Sequence, residues 1–143
     1  MATSGPGVEP PPHPLHAILL GFPIALFAGG LASDITYLSS AEIQWTNFSQ
    51  WLIAAALLFG APVVLLAIVR LVRAGRSAIR GRAGAYLFAL VLMWLVGLIN
   101  TFQHSRDGWS SVGTVGLILS LIATASALIA GWIGYSAGKG RAA

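Results

Sequence analysis

Four long apolar stretches separated by short polar or basic segments organise the chain. The first runs from about Leu15 to Leu38, with no charge between His16 and Asp34. The second runs from about Phe48 to Val72 and is uncharged up to Arg70. The third covers about Ala83 to Phe102, the fourth about Val112 to Tyr135. A helix needs roughly 20 apolar residues to cross about 30 Å of hydrocarbon. The pattern therefore predicts an all-α protein, an integral membrane antiparallel four-helix bundle. Pro23 and Pro62 lie inside the first and second stretch and each removes a helical hydrogen bond, so both helices are expected to bend there. Trp45, Trp51 and Trp109 gather at one set of ends, and Tyr86, Trp132 and Tyr135 at the other. Aromatic rings prefer the two membrane interfaces, which supports the same spans independently.

Finer periodicity predicts how the helices pack. Ala17, Gly21, Ala25, Gly29 and Ser33 recur at every fourth residue of the first stretch. Ser120, Thr124, Ala127, Gly131, Gly134 and Gly138 form a stripe on the fourth. Small residues let helix backbones approach closely, so both stripes are expected at helix contacts. A second stripe on the first stretch reads His16, Leu20, Pro23, Phe27, Gly30, Asp34, and the third stretch carries Tyr86, Leu90, Met93, Gly97, Asn100, His104. His16 and Asp34 are separated by five helical turns, which puts them on one face roughly 27 Å apart at 1.5 Å per residue. They mark the two ends of a face that is expected to look into the bundle.

Charge sets the orientation. Of the eight Lys and Arg residues, five (Arg70, Arg73, Arg76, Arg80, Arg82) lie between the second and third stretch. Lys139 and Arg141 follow the fourth, and only Arg106 lies on the other side. Basic loops resist translocation, so both termini and the basic loop are expected in the cytoplasm of a bacterial inner-membrane protein. The net charge of +4 is then accounted for by topology. No aromatic-basic interleaving points to nucleic acid as a partner. Cysteine is absent, which removes disulfides, thiolate nucleophiles and iron-sulfur clusters. Residues 1–14 include five prolines and no Lys or Arg. This segment reads as a mobile tail rather than a cleaved signal, with a domain over 15–138 and a basic tail at 139–143.

The run from His13 to Leu38 resembles the opening of a bacterial membrane family known as domain of unknown function 2231. That family begins its first helix with His-Pro, continues with Phe-Pro-Ile and ends near an Asp shortly before a Tyr. Here these are His13-Pro14, Phe22-Pro23-Ile24, Asp34 and Tyr37. Gly131 to Tyr135, GWIGY, is similar to the Gly-Trp-Leu-Gly of the family's last helix. The chain departs from the pattern in lacking Gly-Leu-x-Asp in the second helix, where Gly75 is followed by Arg76, and in lacking a His after the last helix. The resemblance implies four membrane helices and a link to sugar-dehydrogenase-like redox enzymes, with b-type haem as the cofactor it brings into view.

Ionisable residues within spans are functional candidates. Asp34, Tyr37, Asn100 and His104, with Arg106 close in sequence, can meet in a polar cluster at the outer surface. Such a cluster reads as an Asp satisfied at the membrane boundary, or as a quinone, proton or ligand site. At the inner surface, Pro14 suits a first helical position with His13 as cap, and His16 falls in the first turn. These two imidazoles read as cap and anchor, or as cofactor ligands. A bis-histidine haem needs ligands on opposing faces, which one helix end supplies poorly. A five-coordinate haem or one shared between two subunits remains, with Met93 as a distant axial partner. No phosphate loop or carboxylate pair is present. The only Ser–His–acid grouping in view is Ser33, His104 and Asp34, too weak to carry a hydrolase. The reading is a small non-enzymatic membrane subunit that anchors or assists a membrane or periplasmic redox protein. A haem- or quinone-binding electron-transfer protein and a purely structural subunit are the alternatives. A homo-oligomer is compatible with each.

Overall fold

The structure, a computed structural model, describes residues 14–74, 81–106 and 112–136. It contains four α-helices in these segments: α1 Pro14–Ser40, α2 Ile43–Ala74, α3 Arg82–His104 and α4 Thr114–Ser136. All four are long and apolar enough to cross a membrane. His13, Arg76, Arg80, Trp109, Gly138 and the basic tail lie outside the described residues.

Each helix follows from its apolar run, but α2 begins at Ile43, ahead of the expected Phe48. The apolar run marks where hydrocarbon begins, whereas backbone hydrogen bonding continues through the polar Gln44 and Asn47. The turn between α1 and α2 is therefore only Ala41 and Glu42. Ala41 adopts a left-handed conformation, φ 57°, and its N–H donates to the Tyr37 carbonyl at 2.7 Å. That bond closes the α1 C-terminus in the manner of a left-handed cap. Both α1 and α2 remain α-helical through Pro23 and Pro62.

The helices form a square in which α1 packs on α2 and α4, and α3 packs on the same two. One end of the bundle carries the start of α1, the end of α2, the start of α3 and the end of α4, with Arg70, Arg73 and Arg82. This is the basic end; the opposite one is the far end. The diagonal pair α1 and α3 run parallel and meet along the bundle axis through a fixed register. His16 meets Tyr86, Phe27 covers Gly97 and Asp34 meets His104, each pair separated by 70 residues. A Cβ placed on Gly97 would come within 2.5 Å of the Phe27 ring. Glycine at this position is what allows the ring to lie across the axis. Leu20, Phe27, Leu90 and Met93 are all sealed in the core.

Outward positions are apolar as lipid requires. Trp51, Leu58, Val72, Phe88 and Trp132 are each more than two-thirds exposed. The small stripe of α4 packs as expected: Ser120, Thr124, Ala127 and Gly131 are buried. The small stripe of α1 packs only in part, with Ser33 buried. Ala25 is exposed and Gly21 half-buried, because the stripe bearing His16 and Asp34 takes the inner face. Gly29 still makes a close contact, its Cβ position lying 3.2 Å from Leu52 of α2.

Candidate functional site

Polar residues are scarce in the spans, and half of the buried ones among the described residues meet at the far end. Asp34, on the inner stripe of α1, is fully buried. Its Oδ1 lies 2.9 Å from Nε2 of His104 at the end of α3, and both side chains have no exposed area. Ser120 of α4 donates its hydroxyl to Asp34 Oδ2. Asn100, one turn before His104, donates from Nδ2 to Ser120 Oγ at 2.7 Å. Ser49 of α2 completes the ring: its Oγ is 3.3 Å from His104 Nε2 and donates to the Gly30 carbonyl at 3.2 Å. Nδ1 of His104 lies 3.0 Å from the Asn100 carbonyl, which can only accept. Each of the four helices thus contributes a side chain to one buried network. A carboxylate in such a place is costly unless paired and hydrogen-bonded, and here it is both.

The chemistry this arrangement allows is limited by geometry. A serine relay needs the nucleophile and the carboxylate on opposite nitrogens of the imidazole. Ser49 and Asp34 both approach Nε2, and Nδ1 is held by a backbone carbonyl. Ser33, the serine grouped with this pair from sequence, instead donates to the Gly29 carbonyl at 2.8 Å. One acceptor in the network, Asn100 Oδ1, is buried without a donor.

The basic end is built differently. His16 Nε2 lies 2.7 Å from the Tyr86 hydroxyl, and its Nδ1 is buried without a partner. The guanidinium of Arg70 acts electrostatically on both His16 and Tyr86. Tyr135 donates to the Ala17 carbonyl at 2.8 Å, tying α4 to α1. Arg82 donates to the Ile133 carbonyl at 2.8 Å and to Ser136 at 2.6 Å, satisfying the α4 C-terminus with a cation where the helix dipole favours one. Between α1 and α4, Ile24, Leu128, Gly131, Trp132, Tyr135 and Ser136 line an apolar groove open to the lipid side.

Of the residues singled out from sequence, the structure brings together Asp34, Asn100 and His104. It leaves out Tyr37 and Arg106. Tyr37 is half-buried one turn beyond Asp34, and Arg106 is exposed beyond the end of α3. The bonds to Asp34 come instead from His104 and Ser120. His16 stands alone at the basic end as far as the described residues go, since His13 lies outside them. Ser49 and Ser120 are the members that sequence reasoning missed. Ser120 was visible in the small stripe of α4, where its hydroxyl counts for more than its size. Among the described residues, no group of three or more His, Asp or Glu could hold a metal ion.

The family model for a predicted membrane protein, domain of unknown function 2231, matches residues 12–139. The chain belongs to this family. No curated protein and no solved structure matches it. The match spans all four helices, so the buried network and the basic end both fall within the domain of unknown function 2231. A b-type haem held between two axial ligands, the group that came into view with this family, does not fit the described residues of one chain. His16 has its Nε2 on Tyr86, and His104 has both nitrogens engaged at the opposite end. Met93 is sealed in the core with no exposed area. No pair among these can face the two sides of one porphyrin.

Proposed function

We propose that the protein is a non-enzymatic subunit of a bacterial inner-membrane assembly, with both termini cytoplasmic, whose rigid bundle anchors or assists a redox partner. The observation that supports this most is the far-end network. It pairs Asp34 with His104, seals both from solvent and joins side chains of all four helices. The serine and the carboxylate share one imidazole nitrogen, a geometry suited to tying helices and not to activating a nucleophile. The redox character of the partner is drawn from the family resemblance. The basic asymmetry of the loops supports the orientation, with the far end facing the periplasm.

Isolation from native membranes in mild detergent, followed by subunit identification and a visible spectrum, tests the reading. Recovery in fixed ratio with a redox protein, without a Soret band of its own, is the expected result. Recovery alone or with a haem of its own contradicts it. Single cysteines at Ser77 and Ser111 test the orientation: only position 111 is expected to react with an impermeant reagent on intact cells.

A quinone head group at His16 is the second reading. It is favoured by the buried, unpartnered Nδ1 of His16 beside Tyr86 and Arg70. A quinone carbonyl can accept from that nitrogen when it carries the proton. Quinone recovered by solvent extraction of the purified chain, and lost in His16→Leu, is the result this reading requires.

A further inference from the structure

The groove between α1 and α4 changes character along its length. It opens at the last turn of α4 and runs into the span from Ser136 back to Leu128, roughly 12 Å at 1.5 Å per residue. Its volume is about 450 Å³. Gly131 forms the floor, where the missing side chain opens the groove down to the α4 backbone and brings Ile24 of α1 close. A Cβ on Gly131 would lie 2.7 Å from Ile24 Cδ1. Trp132 is the outer wall and is 80% exposed. The polar lining residues, Tyr135 and Ser136, are both at the mouth, and the lining below them is apolar.

A cation is fixed at that mouth. Arg82, the first residue of α3, is exposed, and its Nη2 donates to Ser136 Oγ at 2.6 Å and to the Ile133 carbonyl at 2.8 Å. Ser136 donates its own hydroxyl to the Trp132 carbonyl, which turns its oxygen toward Arg82. Both bonds of Arg82 leave from one nitrogen. Nη1 and Nε have no partner among the described residues, although every nitrogen of a guanidinium is a donor. No carboxylate among the described residues offsets the charge. Asp34 and Glu42 lie at the far end, and Asp34 is paired there with His104.

We propose that the groove binds one anionic phospholipid, with an acyl chain between α1 and α4 and the phosphate on the free donors of Arg82. This goes beyond the proposed function and does not depend on it. The apolar lining accepts hydrocarbon, and the pinned guanidinium selects the anion, since charge-assisted bonds to phosphate are among the strong ones. A zwitterionic phospholipid offers the same chain, but its own ammonium already neutralises the phosphate that Arg82 would pair. An apolar helix laid in the groove would cover the free donors of Arg82 without satisfying them, which is costly.

The test is native mass spectrometry of the full chain, purified in mild detergent, stripped of lipid and mixed with equal amounts of phosphatidylglycerol and phosphatidylcholine bearing the same acyl chains. One phosphatidylglycerol per chain is expected, held about tenfold more tightly than phosphatidylcholine, the scale of one hydrogen bond to a charged group. Arg82→Gln is expected to bring the two lipids to parity with helicity by circular dichroism unchanged. Arg73→Gln alters an exposed cation on α2, the helix diagonal to α4, and is expected to keep the preference. Trp132→Ala removes the wall and leaves the cation, so both lipids are expected to weaken together with their ratio kept. Glycerol 3-phosphate, which has no acyl chain, is expected not to bind.

Equal binding of the two lipids to the unaltered chain overturns the proposal. So does a preference that survives Arg82→Gln, or one that falls as much in Arg73→Gln, which would make it an effect of net charge. Unchanged lipid binding in Trp132→Ala removes the groove as the site. That arm and Arg73→Gln decide the matter if Arg82→Gln loses helicity. Tight binding of glycerol 3-phosphate would make the mouth an anion site without a chain. A dimer that forms as lipid is removed, and is lost in Trp132→Ala, would assign the groove to a second copy and overturn the proposal too.

Discussion

The two ends of the bundle solve the same problem in opposite ways. Both must place an imidazole of the diagonal seam in a region where unpaired polar groups are costly. At the far end, His104 is paired with a carboxylate and enclosed by side chains from all four helices. At the basic end, His16 meets one phenol, and the remaining bonds join helices two at a time, Tyr135 to α1 and Arg82 to α4. The far end is a network whose members depend on each other; the basic end is a set of separate links near the interface. The lesson is that parallel helices in one register can carry a cooperative lock at one end and an adaptable rim at the other. Effects of substitution should divide accordingly.

The largest effect is expected for Asp34→Leu, which leaves the His104 side chain buried without its partner. Breaking one side of a buried pair costs about 3–5 kcal/mol. Asp34→Asn keeps an acceptor for Ser120 and should cost about 1 kcal/mol. Reversible unfolding in detergent measures both, and equal costs would erase the contrast between the ends.

Gly97→Ala tests the middle of the seam. Its Cβ would meet the Phe27 ring at 2.5 Å and Leu57 at 3.1 Å, so overpacking of about 1–3 kcal/mol is expected. Gly131→Ala meets Ile24 at 2.7 Å, but through the far end of a flexible side chain, and should cost less. If Gly131 proves the more sensitive, the α1–α4 contact and not the diagonal seam sets the packing.

The smallest effect is expected at the basic end. Tyr135→Phe removes one hydrogen bond to the Ala17 carbonyl. Interhelical bonds in membrane proteins average about 0.6 kcal/mol by double-mutant cycles. A loss as large as that of Asp34→Leu would show that the basic end is a cooperative network as well.

Much of this was legible in the sequence. Apolar length gave the four helices, and the spacing of His16 from Asp34, matched by Tyr86 and His104, marked the two stripes that form the seam. The facing of those stripes was not legible, because periodicity places residues on a helix but does not say which helix they meet. Tyr37 and Arg106 were drawn into the cluster by nearness in sequence. In space Asp34 is bonded by His104 and Ser120, while Tyr37 is half-buried one turn on and Arg106 is exposed beyond the end of α3. Ser49 was hidden among the polar residues of early α2, where nothing distinguishes a bonding hydroxyl from an interfacial one. Ala25 was expected at a contact as part of a small stripe, but the inner face of α1 was already occupied by the stripe with the larger side chains.

The central claim, that one buried pair at the end of the α1–α3 seam couples the helices, is tested most directly by a double-mutant cycle. Unfolding free energies would be measured for the unaltered chain, Asp34→Asn, His104→Gln and the combination in the same nanodiscs. A coupling of about 1 kcal/mol is predicted, in the range found for residues in direct contact. Additivity of the two single effects to within about 0.5 kcal/mol would contradict it.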